Sequence, residues 1–470
     1  MFYKWDLSLL LVFTVLKYRK KSLRNSCSPK AQLPCCLSPM KFDVQQSTTS
    51  PVLPFDIIAL IIDIVGENEN TDLLKKLALV SHCFHKICSK HLFATIELRD
   101  APPNHPRKST KEGFVKLLRS RPDVVKHIRK LIYLVGSVYL ADSDSDSDSL
   151  CEDHPLESAD DLSPILPNLL RTISRLNYLI IDGSNMKWNK MDSFLTSAFN
   201  HLLHLPTLNY IELSSIRNLP VSILAPCANL LRFDVYDLNC TDLLEEEVIV
   251  QSEMMPKIRD FRTSGSSLIM RKLLHCKRQD GRPAFNCMDL RRVKICLEDK
   301  ENIRYFQRTA KLLDKLHLSV GSGQDLVGLR DILSPSAHTL KVLDFTGSIH
   351  KFSFDDSIHL PFEGLCEELE AMAGHNMLEA MSFEVYHGST FSDEDAEDLI
   401  GSAFQDVERE LVKPGWSALR KVSFGVAVME EEDCERLCEA LQFLPDKYLD
   451  HFPKFESITF SYSVYVPYIP

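Results

Sequence analysis

Residues Leu53 to Leu98 read LPFDIIALIIDIVGENENTDLLKKLALVSHCFHKICSKHLFATIEL. Leu53, Ile57, Ile61 and Ile64 recur at helical spacing, and Ile58, Ile62 and Val65 form a second stripe beside them. The predicted first helix is therefore apolar over far more than one narrow face. Pro54 stands in its first turn, where a helix tolerates proline. Gly66 to Asn70 interrupt the pattern. Thr71 is placed to cap a second helix bearing Leu73, Leu74, Leu77 and Val80, and Ser81 a third bearing Phe84, Ile87, Cys88, Leu92 and Phe93. A unit of about 45 residues leaves much of its surface in water, so it cannot enclose all of these side chains. Either the surplus apolar face belongs to another protein, or the rest of the chain covers it.

These residues resemble the F-box family, in particular the divergent F-box-like proteins abundant in fungi. The resemblance is carried by Leu53-Pro54 with Asp56 two places on, the isoleucine-rich first helix, Leu79-Val80-Ser81 followed by Phe84, and His91-Leu92-Phe93. Phe84 stands where the family usually has tryptophan. The resemblance implies docking onto the small adaptor of a cullin-RING ubiquitin ligase, and through it onto a cullin. The adaptor-binding residues it implies are Leu53, Pro54, Ile57, Ile58, Ile61, Leu77, Val80, Ser81 and Phe84.

Composition bounds the remainder. The chain has 470 residues, 44% hydrophobic and 25% charged, which is normal for a globular protein with a large core. Net charge is −11; the first fifty residues carry eight Lys/Arg against two Asp, so everything after them stands at −17. That sign argues against a nucleic-acid surface, which needs a basic stripe. Fourteen cysteines lie scattered without CxxC pairs, the pattern of reduced thiols in the cytoplasm or nucleus. Cys434 and Cys438, one helical turn apart, lack a second ligand pair, so core packing explains them better than a metal. Leu7 to Leu16 is an apolar run too short for a membrane span, which needs about twenty residues, and no membrane contact is expected of it. Residues 1–52 read as a flexible basic leader, 53–98 as the helical module, and 99–124 as a proline-punctuated linker with a helix that Ser109 and Glu112 cap.

From residue 125 to 470 an apolar-x-x-apolar-x-apolar pattern recurs: Ile128/Leu131/Tyr133, Leu176/Leu179/Ile181, Leu208/Ile211/Leu213, Leu230/Phe233/Val235, Ile258/Phe261/Thr263, Leu290/Val293/Ile295, Leu313/Leu316/Leu318, Leu340/Leu343/Phe345, Leu378/Met381/Phe383, Leu419/Val422/Phe424 and Phe455/Ile458/Phe460. Thr263 is its one break. Such a pattern arises often by chance at this hydrophobic content, so its setting carries the argument. Helical segments intervene at Met191 to Leu205, Ser266 to His275, Glu301 to Leu312, Leu365 to Ala373 and Ser392 to Leu411. This rhythm is similar to leucine-rich repeats, which stack strand and helix into a curved solenoid. The predicted fold is thus α/β: a short three-helix F-box-like module followed by an irregular leucine-rich-repeat-like solenoid, with an irregular α/β domain as the alternative. Strand alternation nominates Asp182, Glu212, Asp234, Lys294, His317, Asp344, Glu384 and Tyr386 for the concave, substrate-facing side.

Asp142 to Ser149 alternates aspartate and serine inside an acidic stretch, 142–161, that reads as a solvated loop. Its sharper reading makes Ser143, Ser145, Ser147 and Ser149 substrates of an acidophilic kinase. Asn239-Cys240-Thr241 is a glycosylation sequon only if the chain is secreted. No zincin, serine-hydrolase, phosphate-loop or kinase signature occurs, and no cofactor or metal is implied. Two functions stand open: a ligase substrate receptor for an unknown protein substrate, or a non-catalytic interaction scaffold whose first helices cap the repeats. An enzyme with an unrecognised site is the third, less supported class.

Overall fold

The computed structural model describes residues 54–68, 70–100, 109–135, 164–238, 249–250, 256–264, 272–273, 276–296, 311–320, 326, 328–349, 362, 364–387, 393–429, 434–449, 451–452 and 457–467. Leu53, the run at 7–16, the acidic stretch with its serines, the sequon, and most of the segments 266–275 and 301–312 lie outside the described residues. The chain divides into two compact units: a helical unit of residues up to 96 with 121–129, and a sheet unit of 97–120 with 130–470. The division departs from the expected linker at 99–124, because the helix at 110–120 belongs with the sheet and the turn after it with the helical unit.

In the helical unit, helices α1 (Phe55–Glu67), α2 (Thr71–Ala78) and α3 (His82–Leu92) follow one another. Ser81 caps α3 as the sequence predicts, its hydroxyl accepting from the Phe84 N–H at 3.3 Å. The cap of α2 is Asn70, not Thr71: the Asn70 side-chain oxygen accepts from Leu73 N–H at 3.1 Å. Pro54 sits one residue ahead of α1 rather than inside it. Gly66 remains helical, and its role is clearance, since a Cβ there would overlap the His91 ring. The core is Ile62, Leu74, Leu77, Ala78 and Cys88, with Ile58, Val65, Leu73, Phe84, Ile87 and Leu92 packed around it.

The sheet unit is α/β. Its described strands are β1 (Thr95–Arg99), β2 (Lys130–Leu134), β3 (Tyr178–Lys187), β4 (Tyr210–Arg217), β5 (Arg232–Tyr236), β6 (Ile249–Val250), β7 (Asp260–Ser264), β8 (Lys277–Arg278), β9 (Arg292–Cys296), β10 (Lys315–Val320), β11 (Val342–Ile349), β12 (Ala380–His387), β13 (Lys421–Val428) and β14 (Thr459–Tyr465). Twelve of them form one parallel sheet in chain order, and only β6 and β8 stand apart, paired with each other. The described helices include α4 (Thr110–Ser120), α5 (Ile165–Leu170), α6 (Ser193–Leu203), α7 (Leu329–Leu333), α8 (Leu365–Met372) and α9 (Asp393–Leu411). Asp192 caps α6, accepting from Leu195 N–H. Ser109 does not form the predicted box with Glu112, because its hydroxyl donates to the Arg99 carbonyl instead.

The register bears on the repeated pattern directly. Leu131 pairs with Leu179, Leu179 with Ile211, Ile211 with Phe233, Phe233 with Phe261, and Phe261 with Val293. The row continues through Leu316, Leu343, Met381 and Val422. These are the second positions of the first ten matches, so all ten are in register. The eleventh is not: Val422 pairs with Phe460 rather than Ile458. A two-residue slip leaves each side chain on its original face, so alternation cannot distinguish the two registers.

The starts of β4, β5, β7 and β9 to β13 are tied to the preceding strand of the sheet in one way. The Asn177 carbonyl accepts from the N–H groups of Asn209 and Tyr210, that of Asn209 from Leu231 and Arg232, that of Arg291 from Asp314 and Lys315, and that of Glu379 from Arg420 and Lys421. Strand interiors alternate buried with half-buried residues, as in β2, β10 and β12. One face is thus packed and the other polar, unlike parallel sheets covered on both sides. The packed face ends in an aromatic stack: Phe345 on Phe383, Phe404 of α9 on Phe424 at 4.5 Å, and Phe452 on Phe460.

Candidate functional site

Two surfaces have the chemistry of recognition, one on each unit. On the helical unit, α1 is apolar on both sides. Ile58, Ile62 and Val65 face the core, which leaves Ile57, Leu60 and Ile64 on the opposite face, 43% to 56% exposed. Phe55 and Leu79 are exposed as well, Leu79 at 76%. Asp63 adds a polar tie to this orientation: its carboxylate accepts from Lys90 Nζ at 2.7 Å and meets His91 Nε2 at 2.8 Å. Burial pushes the Asp63 carboxyl up, but hydrogen bonds from Lys90 and His91 outweigh it and hold the group below the ordinary range.

Of the residues nominated for this surface, Pro54, Ile57 and Ser81 are exposed, while Ile58, Ile61, Val80 and Phe84 are half-buried. Leu77 is a correction: it is 2% exposed and belongs to the unit's own core. Phe55, Leu60, Ile64 and Leu79 form more of the surface than their sequence setting suggested.

On the sheet unit, the polar face brings five of the eight nominated residues into a single row. Glu212 pairs with Asp234, Asp234 with Arg262, Arg262 with Lys294, Lys294 with His317, and His317 with Asp344. The row runs on through Ser382 and Ser423. Asp182 and Glu384 lie two residues further along their strands, and Tyr386 a further two. Arg262 was missed, although alternation within Ile258/Phe261/Thr263 points to it.

Three acids on this face, Asp234, Asp260 and Asp344, are paired with cations. Arg232 donates to Asp234 through Nε at 3.1 Å and Nη2 at 2.7 Å, and its guanidinium lies 4.6 Å over the Tyr210 ring. The Tyr210 hydroxyl has one proton to donate and lies within hydrogen-bond reach of both Glu212 and Asp234; burial, followed by the neighbouring Glu212 and Asp234, pushes that phenol well above its ordinary range. Arg292 clamps Asp260 with two bonds, at 2.7 and 2.6 Å. Asp344 takes Lys315 Nζ at 2.7 Å and has His317 Nδ1 at 3.9 Å, while His317 Nε2 lies 2.9 Å from Thr346 Oγ1. Burial raises the Asp344 carboxyl, but His317 and Lys315 outweigh it and the net displacement is downward. A groove of about 480 Å³ opens here, lined by Lys315, His317, Asp344, Ser382, Glu384 and Ser423 among others. At its end the Tyr465 hydroxyl donates to Glu384.

Among the described residues no three His, Cys, Asp or Glu side chains converge to hold a metal ion, and no helix is long and apolar enough to cross a membrane. Cys83, Cys88, Cys227, Cys287 and Cys366 carry free thiols. Burial pushes Cys88 up to about 11, and Cys227 and Cys287 up to about 12. Fold and surfaces together define an α/β protein built on a twelve-stranded parallel sheet with one polar face. Compared with known protein families and with curated proteins, the chain matches none.

Proposed function

We propose that this chain is the substrate-receptor subunit of a cullin-RING, SCF-type ubiquitin ligase. In this reading the helical unit is an F-box-like module that binds the ligase adaptor, and the strands from β2 onward are coils of a leucine-rich-repeat-like solenoid whose polar face receives a protein substrate. The receptor contributes proximity: it raises the substrate's effective concentration beside the conjugating enzyme, and bond making occurs on other subunits.

The observation that carries the reading is the Ile57/Leu60/Ile64 stripe, left in water on a helix whose other side already holds the core. An apolar face of that kind, rigidly oriented, suits a helix-binding partner. The test is co-purification with the adaptor, comparing wild type with Leu60→Asp/Ile64→Asp. Both positions are exposed, so helicity measured by circular dichroism is expected to stay at the wild-type level. Retained adaptor is expected to fall at least about ten-fold, the loss of one or two anchoring contacts. Equal retention by the variant, or none by wild type, defeats the receptor reading in favour of a scaffold outside any ligase.

A further inference from the structure

The polar sheet face has a charge imbalance at one place. Across β5, β7, β9 and β10 it carries Arg232, Arg262, Arg292, Lys294 and Lys315. Three of these are neutralised, by Asp234, Asp260 and Asp344 respectively. Arg262 and Lys294 are the other two, and they are ladder neighbours on adjacent strands, about 4.8 Å apart at the backbone. Among the described residues neither has a hydrogen-bond or ion-pair partner.

The surroundings of Lys294 disfavour its charge. Burial depresses the Lys294 ammonium below its ordinary value and the like charge of Arg262 depresses it further; Glu384, Asp234 and Asp344 oppose this only through space. Asp234 is already paired with Arg232 and Asp344 with Lys315, while Glu384 keeps its charge and accepts only from the Tyr465 hydroxyl. Arg262 and Lys294 thus set two cationic groups side by side on the polar face, neither tied to an acid by a direct ion pair. A guanidinium supplies a planar fork for two oxygens and an ammonium a compact point charge beside it.

We propose that Arg262 and Lys294 form a receptor site for a phosphate monoester, carried on a serine or threonine of a protein segment laid across this face. The inference deepens the reading above and rests on it in one respect, that the polar face receives a protein substrate. A phosphomonoester carries about −1.5 to −2 at neutral pH and can engage both cations at once, whereas a carboxylate supplies one charge. Nucleic acid fits poorly. Asp234, Asp260 and Asp344 flank the pair, and the chain is at −11 overall, so a run of phosphates meets repulsion on either side of the one position that attracts it.

The test is competitive acetylation of the full-length protein with trace acetic anhydride, read by mass spectrometry at each lysine. It is run in chloride, in inorganic phosphate, and with an acetyl-Gly-phosphoserine-Gly-amide peptide, all at matched ionic strength. Labelling of Lys294 is expected to fall about ten-fold when the phosphate probe exceeds its dissociation constant about ten-fold, while Lys130 and Lys421 are labelled as before. Arg262→Gln removes the protection, and Arg262→Lys restores part of it; Arg262 is exposed, so neither variant disturbs the sheet. Equal labelling of Lys294 in phosphate and chloride overturns the proposal. So does protection by glutamate or by a single-stranded oligonucleotide that matches or exceeds protection by the phosphopeptide. The adaptor is absent from this assay, so failure here leaves the docking result standing, and failure of docking leaves the protection intact.

Discussion

Thr263 shows at the level of one side chain what the repeated pattern enforces. It occupies an apolar position, is 6% exposed, and its hydroxyl has no partner among the described residues. A buried hydroxyl without a partner costs about 1–3 kcal/mol, and valine has the same shape without it. Thr263→Val is expected to stabilise the sheet unit by about 1 kcal/mol, measured as a higher urea midpoint at unchanged slope; a lower midpoint contradicts the assignment. Glu408 is the opposite case. Its carboxylate, 1% exposed, accepts from the backbone N–H groups of His451 at 2.9 Å and Phe452 at 2.7 Å, and meets His451 Nδ1 at 3.2 Å. Glu408→Ala strands those donors and is expected to cost about 3 kcal/mol by denaturant unfolding, with Glu408→Gln milder because one acceptor oxygen survives. At this scale the sequence was partly informative: it flagged Thr263 as a break in the pattern, but nothing near Glu408 announces that its partners lie more than forty residues away.

At the scale of elements, α1 shows where reading stopped. Both of its stripes are isoleucine-rich, so periodicity alone cannot say which one faces the core. The choice is made by Asp63, which reaches Lys90 and His91, and by Gly66, which lets the His91 ring lie against the helix. Those partners are more than twenty residues away in sequence and invisible to a helical period. The consequence is measurable with acid. The Asp63 carboxyl is lowered from 3.8 in the folded unit, so the stabilisation it gives is fully present above pH 3.8 and disappears as pH falls through the lower folded value. Asp63→Asn is expected to be less stable than wild type at neutral pH and to flatten the acid limb of the helical signal; a steep limb unchanged in the variant contradicts this. Ile62→Ala, in the core, is expected to cost about 2–5 kcal/mol, whereas Leu60→Ala, on the exposed face, leaves unfolding nearly unchanged. The strands were more legible. Ten matches fell in register because a strand packed on one face must alternate, and the eleventh slipped by two because alternation repeats every two residues. The same rule nominated Lys294 and His317 for the polar face, yet only the ladder showed Arg262 lying beside Lys294.

Across the whole molecule, parallel pairing in chain order makes each strand of the large sheet the template for the next, and eight of them start where a carbonyl of the preceding strand holds two of their N–H groups. The stretch between corresponding positions is then irrelevant to alignment. It runs 22 residues from Leu208 to Leu230 and 48 from Ile128 to Leu176, a difference worth only about 0.7 kcal/mol of closure entropy. Lengthening a connection on the surface, for example with six Gly/Ser residues between the exposed Asp280 and Gly281, is therefore expected to cost under about 1 kcal/mol and to leave Lys294 protection by phosphate untouched. Deleting Asn209, whose carbonyl anchors β5, is expected to disrupt the sheet despite being the smaller edit.

Such a body works like a ruler with its graduations cut into the edge and its handle free to change. New excursions can be grafted between graduations to meet new partners, while the spacing that sets one side chain beside the next stays as it was.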